Sequence, residues 1–209
     1  IGGAVADAAL EGRTDFRGQL TVTIDGDNAR DFDDAVSVTT REAGGYVLSV
    51  HIADVAHYVQ AGSALDADAL DRGTSVYFPD RAVHMFPAEL ATGLCSLRPG
   101  VDRLVQSAVI ELDAAGEPVR VGFHYGVIRS RSRLTYAGVN AAMTGQRGPL
   151  GDIEPAVIAM LREMYGLFGL LRDRRRKRGS IDFDLPEAEI RLDDDGQVEA
   201  ITASDRNDA

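Results

Sequence analysis

Alternating apolar and polar residues predict most of the strands in this 209-residue chain. Successive side chains of a strand point to opposite faces, so a half-buried strand repeats every two residues. The stretches with this pattern are 19–24, 35–40, 46–52, 104–112, 118–130, 189–192 and 198–201. Gly44 and Gly45, the run 114–117 and the run 193–196 separate successive stretches, as the turns of hairpins do. The chain is therefore rich in antiparallel strand pairs.

Helical spacing is clearest between residues 153 and 178, where apolar residues recur every three or four positions. These residues are Val157, Ile158, Leu161, Met164, Leu167, Leu170 and Leu171. Gly179 follows them, as a left-handed C-terminal cap does. Shorter helices are predicted at 4–10 and 65–72, and three prolines predict a loop-rich stretch at 73–100.

Together these elements predict an α+β fold of mixed, mostly antiparallel sheets with flanking helices. We divide the chain into a leading segment or linker, residues 1–18, and one domain, residues 19–209. The composition is that of a globular protein, with 44% hydrophobic and 26% charged residues. The net charge is −11, but basic residues concentrate at 129–133 and 172–178. Because local patches steer a polyanion, a nucleic-acid partner stays open.

Cysteine content and hydropathy bear on the compartment. The single cysteine, Cys95, excludes an internal disulfide and a multi-cysteine zinc site, and it fits a reducing compartment. No stretch approaches the ~18–20 apolar residues of a membrane span, and no signal segment opens the chain. We therefore expect a cytoplasmic protein without membrane association.

The strongest chemical signal is the acidic run 25–34, in which five of ten residues are aspartates. Two apolar, strand-like stretches flank it, so these carboxylates are forced together. Like charges a few Å apart repel by roughly 1 kcal/mol or more, and a hard divalent cation, magnesium or manganese, relieves that repulsion. An EF-hand is excluded, because Ala29, Arg30 and Val36 occupy its fifth, sixth and twelfth positions. A solvated acidic turn is the alternative.

Residues 23–35 resemble the signature of the catalytic (RNB) domain of the ribonuclease II/ribonuclease R family, which are 3′→5′ exoribonucleases. Five more blocks resemble family motifs in the same order: 51–59, 72–80, 94–97, 178–187 and 205–209. His84 stands where the family pattern leads us to expect proline. The resemblance implies that residues 19–209 are the N-terminal part of this domain. It also implies that RNA-binding barrels and the rest of the active site lie on other segments of a longer polypeptide.

The resemblance implies roles for the aspartates. Asp25 and Asp34 would hold one magnesium ion, Asp33 would bind or position a second ion and the attacking water, and Asp31 would complete the cluster. The implied reaction is hydrolysis of single-stranded RNA to nucleoside 5′-monophosphates, with Mg²⁺ as cofactor and Mn²⁺ as a possible substitute. Adjacent residues of a regular strand face opposite ways. Asp33 and Asp34 therefore share a site only where the backbone is irregular.

Aromatic and basic residues are the predicted RNA contacts. By resemblance, Tyr77 and Phe183 stack on bases of the bound strand, and Tyr136 contacts the terminal nucleotides. For both tyrosines, packing in the core is the alternative. Arg129 and Arg131 would share one face with Arg133 if the strand continues that far, which makes a plausible phosphate contact; a solvated strand edge is the alternative.

The histidines have simpler expectations. His51 and His57 are expected to be structural, with Asp54 as a buried partner for one of them, and Cys95 is expected in the core.

The competing functional hypothesis is a non-catalytic RNA-binding module, or an inactive fragment of such an enzyme. The four aspartates of the motif argue for an intact site. The absence of the family's downstream motifs argues that this stretch does not act alone.

Overall fold

The computed structural model describes residues 5–144, 153–181, 187–193 and 195–204. Its strands, in chain order, are β1 (Thr14–Asp15), β2 (Val22–Asp25), β3 (Asp34–Thr40), β4 (Tyr46–Ala53), β5 (Val76–Tyr77), β6 (Ala82–Val83), β7 (Asp102–Leu112), β8 (Pro118–Arg129), β9 (Ser132–Thr135), β10 (Glu187–Leu192) and β11 (Val198–Ser204). Seven of them form one sheet in the order β1-β8-β7-β4-β3-β2-β9. The pairs β5–β6 and β10–β11 form two separate hairpins. Within the large sheet the β1–β8 and β2–β9 pairs are parallel and the others antiparallel, which confirms the predicted α+β class.

In the described residues, four α-helices accompany this sheet. They are α1 (Val55–Tyr58), α2 (Ala64–Arg72), α3 (Tyr136–Thr144) and α4 (Pro155–Lys177). A 3₁₀ turn spans Asp7–Leu10 and a π-helical turn spans Glu89–Leu94. None of the helices in the described part of the chain combines the length and the apolar character that a membrane crossing requires.

The large sheet is strongly curled. Only two residues separate β8 from β9, and the chain over this link spans at most about 11 Å. These strands stand five positions apart in the sheet order, which in a flat sheet would be about 24 Å. The sheet must therefore bend round on itself, so that β9 approaches the end of β8.

Each face of the curled sheet has its own hydrophobic core, because alternate residues of each strand point to opposite sides. On β3, Val38 belongs to one core and Ala35 to the other. The core against α3 and α4 contains Val22, Val38, Leu112, Leu134, Val139, Val157, Met160, Leu161 and Leu167. The opposite core contains Phe16, Ala35, Ala53, Leu90, Cys95, Leu97, Val105 and Ile128. The burial of Cys95 confirms its predicted place.

Most predicted elements are confirmed within a few residues. The helix expected at 153–178 is α4, and Gly179 follows it with a φ of +89°. Gly44 and Gly45 form the β3–β4 turn with φ values of +81° and +88°. A side chain at Gly45 would collide with the Leu112 carbonyl, which lies 2.2 Å from an added Cβ. Glycine at that position is therefore required by both backbone conformation and space.

The sequence pattern missed the shortest elements. The leading segment, predicted as a polar connection after residue 10, contains β1, which pairs with β8, and its Phe16 is buried. β9 lies beyond the stretch predicted to end at residue 130: β8 ends at Arg129 and a new strand begins at Ser132. Strands of two and four residues are too short to show a periodicity, so only their partners in the sheet define them.

Two buried polar residues lie on β4 or directly after it. The carboxylate of Asp54, which follows the strand, forms a 2.7 Å ion pair with Arg13 and accepts a hydrogen bond from Gln106. Its partner is therefore an arginine of the leading segment, and the pairing expected with a histidine is wrong. His51 is fully buried, and its Nδ1 lies 2.8 Å from the Ser107 hydroxyl. Burial lowers the pKa of His51 to about 4, which fits the structural role predicted for it.

We expect the burial of His51 to make the fold acid-sensitive. In the unfolded chain this histidine takes up a proton near pH 6.5, but in the folded protein only near pH 4. Between these values the unfolded state binds more protons, so the free energy of unfolding falls as the pH is lowered, by about 3 kcal/mol in all. Urea unfolding between pH 7 and pH 4 measures this. His51→Gln should show a smaller pH dependence by that amount; an equal dependence in both proteins would contradict the assignment.

Candidate functional site

The aspartate run lies in the connection between β2 and β3. Asp25 is the last residue of β2 and Asp34 the first of β3, so antiparallel pairing of these strands brings the two ends side by side. Asp33 precedes the strand, and its carbonyl accepts a 2.9 Å hydrogen bond from the Ala53 amide. Asp33 therefore lies where the β3–β4 ladder ends and the loop begins. The irregular backbone that would let Asp33 and Asp34 share a site stays a prediction.

The charges of Asp31 and Asp34 act on both Asp25 and Asp33. Burial, followed by the charges of Asp34 and Asp31, raises the pKa of Asp25, while nearby Thr23 and Arg133 lower it in part. Asp33 is solvent-accessible, but the protein atoms crowded around it and the charges of Asp31, Asp34 and Asp25 raise its pKa as well. The fold thus holds these carboxylates together against their mutual repulsion.

The donor set fits a hard cation. Oδ2 of Asp25 is buried and has no hydrogen-bond partner among the described residues. A buried carboxylate oxygen in that state is costly unless a proton or a cation compensates it, and an all-carboxylate set suits magnesium or manganese. Across the described ranges, no group of three or more His, Cys, Asp or Glu side chains has the spacing of metal ligands. Three-carboxylate coordination therefore requires side-chain movement.

Tyr77 lies directly against this cluster. The short β5–β6 hairpin carries it, and its hydroxyl donates a 2.6 Å hydrogen bond to Oδ2 of Asp31. That bond, with burial and the charges of Asp31 and Asp33, raises the pKa of Tyr77 to about 12. The side chain is nevertheless 64% exposed, which leaves ring surface available for a planar ligand. Core packing, the alternative for Tyr77, does not describe this position.

His84 joins the same carboxylate from the other side of the hairpin. Its Nδ1 lies 3.6 Å from Oδ2 of Asp31, and its ring meets the Tyr77 ring edge-to-face at 6.3 Å. The departure from the family pattern at this position therefore places an imidazole beside the aspartates. The sequence marks this residue as unusual but does not indicate that it lies beside the aspartates.

Arg133 is a site residue that sequence reasoning placed differently. A face shared with Arg129 and Arg131 depends on one continuous strand, and the break before β9 removes that condition. Arg133 instead donates to the carbonyls of Gly26 and Asp27 at 2.5 and 3.0 Å. Its guanidinium also lies over the Phe32 ring, 5.5 Å from the centroid. It therefore supports the aspartate loop from the β9 side.

The other predicted RNA contacts lie in varied surroundings. Arg129 pairs with Asp102 at 2.7 Å, and Arg131 pairs with Glu154 at 3.4 Å. Tyr136 begins α3 and is 48% exposed; it follows Thr135, which pairs with Asp25 across β9 and β2. Tyr136 is thus next to the cluster. Phe183 lies outside the described residues.

Comparison with known proteins identifies the family of this chain. A model of the RNB domain family matches residues 13–209. Ribonuclease R of Thermotoga maritima is 45% identical over 190 residues, which are 90% of this chain and 26% of that protein. Ribonuclease R of Escherichia coli K12 is 40% identical over 205 residues, or 98% of this chain and 25% of that protein.

Solved structures show the same fold. RNase R of Mycoplasma genitalium in complex with ribose-methylated single-stranded RNA superimposes with a TM-score of 0.91 at 31% identity, covering 98% of this chain and 32% of that one. The complex of the same protein with double-stranded RNA also gives 0.91. The chain spans about a quarter of the length of the curated relatives it matches. By the family match over most of its length, this chain belongs to the RNB domain family.

Proposed function

We propose that this chain is the N-terminal part of the catalytic domain of a hydrolytic 3′→5′ exoribonuclease, which degrades single-stranded RNA to nucleoside 5′-monophosphates. Its family membership and its ribonuclease R relatives support a ribonuclease. The observation that carries the proposal is the gathering of four carboxylates, one with a buried unpartnered oxygen, beside the exposed Tyr77 ring. We propose Mg²⁺ as the cofactor, with Mn²⁺ as a substitute, in a cytoplasmic enzyme.

The proposed cofactor sites follow the positions of the carboxylates. Asp25 and Asp34, at the facing strand ends, would hold one ion, and Asp33 would hold the second, with Asp31 completing the set. Two divalent cations at such a cluster supply an activated water and neutralise charge on the phosphate oxygens. Asp33 is exposed, as is Asp34, and its carboxylate would accept a hydrogen bond from the attacking water and orient it toward the last phosphate.

Substrate selection would come from stacking and from the sugar. A base stacked on an aromatic ring gains ~1–3 kcal/mol whatever its identity, and the exposed ring of Tyr77 suits this role. Stacking without base-edge readout gives an enzyme that accepts any sequence. Discrimination of RNA from DNA requires contact with the 2′-hydroxyl. The remaining proposed contacts are Tyr136, which lies beside Asp25, and Phe183, Arg129 and Arg131.

A non-catalytic RNA-binding module is the second hypothesis, and two observations favour it for these 209 residues alone. The chain spans only about a quarter of its relatives, and in the described residues three carboxylates do not yet have ligand spacing. We propose that other segments of a longer polypeptide, including RNA-binding barrels, complete the enzyme. Tests of turnover therefore use the complete natural polypeptide that contains this chain.

We expect Asp33→Asn to abolish hydrolysis while RNA binding is retained. The amide keeps the size of the side chain but removes the charge that a cation and the attacking water require. The assay follows 5′-labelled single-stranded RNA with Mg²⁺, with DNA of the same sequence as a specificity control. Asp27→Asn, the same change at an exposed aspartate of the same loop, is the matched control and should keep normal turnover. Full turnover in Asp33→Asn would refute its assigned role, and binding without any cleavage by the wild type would favour the second hypothesis.

We expect Tyr77→Ala to lengthen the final undegraded fragment, because the shortest strands lose a stacking surface. Loss of ~1–3 kcal/mol per base weakens binding of the last nucleotides by about 5- to 150-fold. Tyr77→Phe keeps the ring but removes the hydrogen bond to Asp31, so it separates the two interactions. High-resolution gels of end products measure this. Wild-type fragment length in Tyr77→Ala, or the same lengthening in Tyr77→Phe, would contradict a stacking role.

A further inference from the structure

Ser96 is a fully buried hydroxyl that touches the backbone of the aspartate loop. Its Oγ accepts a 3.1 Å hydrogen bond from the Phe32 amide and donates a 3.1 Å hydrogen bond to the Arg30 carbonyl. The two bonds enclose Asp31, since they fix the peptide groups before and after it. The serine hydroxyl thus satisfies both backbone groups at once. An apolar side chain of equal size would leave both without a hydrogen-bond partner.

The neighbouring residue extends this contact along the loop. The amide of Leu97 donates to the Phe32 carbonyl at 2.8 Å. Residues 30–33 are thus bound through successive peptide groups, first by Ser96 and Leu97 and then by Ala53, whose amide reaches the Asp33 carbonyl. These bonds hold a segment that does not belong to any regular strand. The loop therefore takes its shape from residues 96 and 97.

Ser96 is itself fixed to the large sheet. Arg103 of β7 is buried, with 5% of its surface exposed. Its Nε donates to the Ser96 carbonyl at 2.8 Å, and its NH2 group donates to the Gly93 carbonyl at 3.1 Å. A side chain on a central strand thus holds the turn that carries Ser96. The position of the hydroxyl is set by the sheet rather than by the loop it binds.

We infer that Ser96 is a positioning residue for the proposed metal cluster: its hydroxyl fixes the backbone on both sides of Asp31 and, through Phe32, the backbone that leads to Asp33. The inference rests on the proposed function. Without the hydroxyl, the Phe32 amide and the Arg30 carbonyl lose a buried partner, and fewer bonds hold the loop against the repulsion among the carboxylates. Outer partners that orient metal ligands typically account for a 10–100-fold change in metal affinity or activity.

The test compares variants of the complete natural polypeptide by two measurements. Mn²⁺ binding is followed by electron paramagnetic resonance in the absence of RNA, and kcat and KM are measured on single-stranded RNA. Ser96→Ala removes the hydroxyl. Ser96→Thr and Ser96→Val form a matched pair of equal shape that differ in the hydroxyl alone, so they remain informative if the alanine variant does not fold. Ser130→Ala is the control, because Ser130 is another buried serine, whose hydroxyl lies 3.4 Å from the Ser132 carbonyl instead.

We expect Ser96→Ala and Ser96→Val to weaken Mn²⁺ binding and to lower kcat by about 10- to 100-fold, with KM for RNA little changed. Ser96→Thr should stay near wild type in both measurements. Ser130→Ala should lower the Tm without changing Mn²⁺ affinity. Wild-type Mn²⁺ affinity and kcat in Ser96→Val, or an equal loss in Ser96→Thr and Ser96→Val, would overturn the positioning role. Absence of Mn²⁺ binding and of hydrolysis in the wild type would instead overturn the proposed function itself.

Discussion

Confinement of like charges is the constraint on which this site depends. Four carboxylates lie within electrostatic reach of one another, and each of Asp25 and Asp33 has its pKa raised by burial and by its neighbours. Left to itself, such a loop would open until its charges were solvated. It does not open because its backbone is bound from several sides: by Ser96 and Leu97, by Ala53 and by Arg133. The repulsion is thereby kept in place, and the proposed cation would relieve it.

The curled sheet explains how these supports converge. β2 and β3 deliver the two ends of the acidic loop, and β4 ends beside them with Ala53. β7 carries Arg103, which fixes the turn at Ser96, and β9 carries Arg133. These strands are spread over most of the sheet order. They are consecutive in the sheet, so each neighbour contributes a contact to the same loop.

The Tyr77 hydroxyl links the proposed base-stacking surface to the carboxylates. Because the same side chain exposes its ring and bonds to Asp31, a base stacked on it would lie beside the proposed metal cluster. That neighbourhood suits an exonuclease, in which the last base and the last phosphodiester bond must be held at the same time. His84 lies against the same carboxylate.

The sequence by itself determined the elements whose patterns are long, and the chemistry that is local. The antiparallel strand pairs, α4 with its Gly179 cap and the aspartate run with its family resemblance were all readable, because periodicity and clustered charge need no partner to be recognised. The tertiary structure alone decided the rest. The short strands β1 and β9 are defined only by their pairing with β8 and β2. Asp54 pairs with Arg13 rather than with a histidine, and Arg133 contacts the acidic loop. Ser96 and Arg103 stand far from residues 30–33 in the chain, so no local pattern reveals that they shape the site.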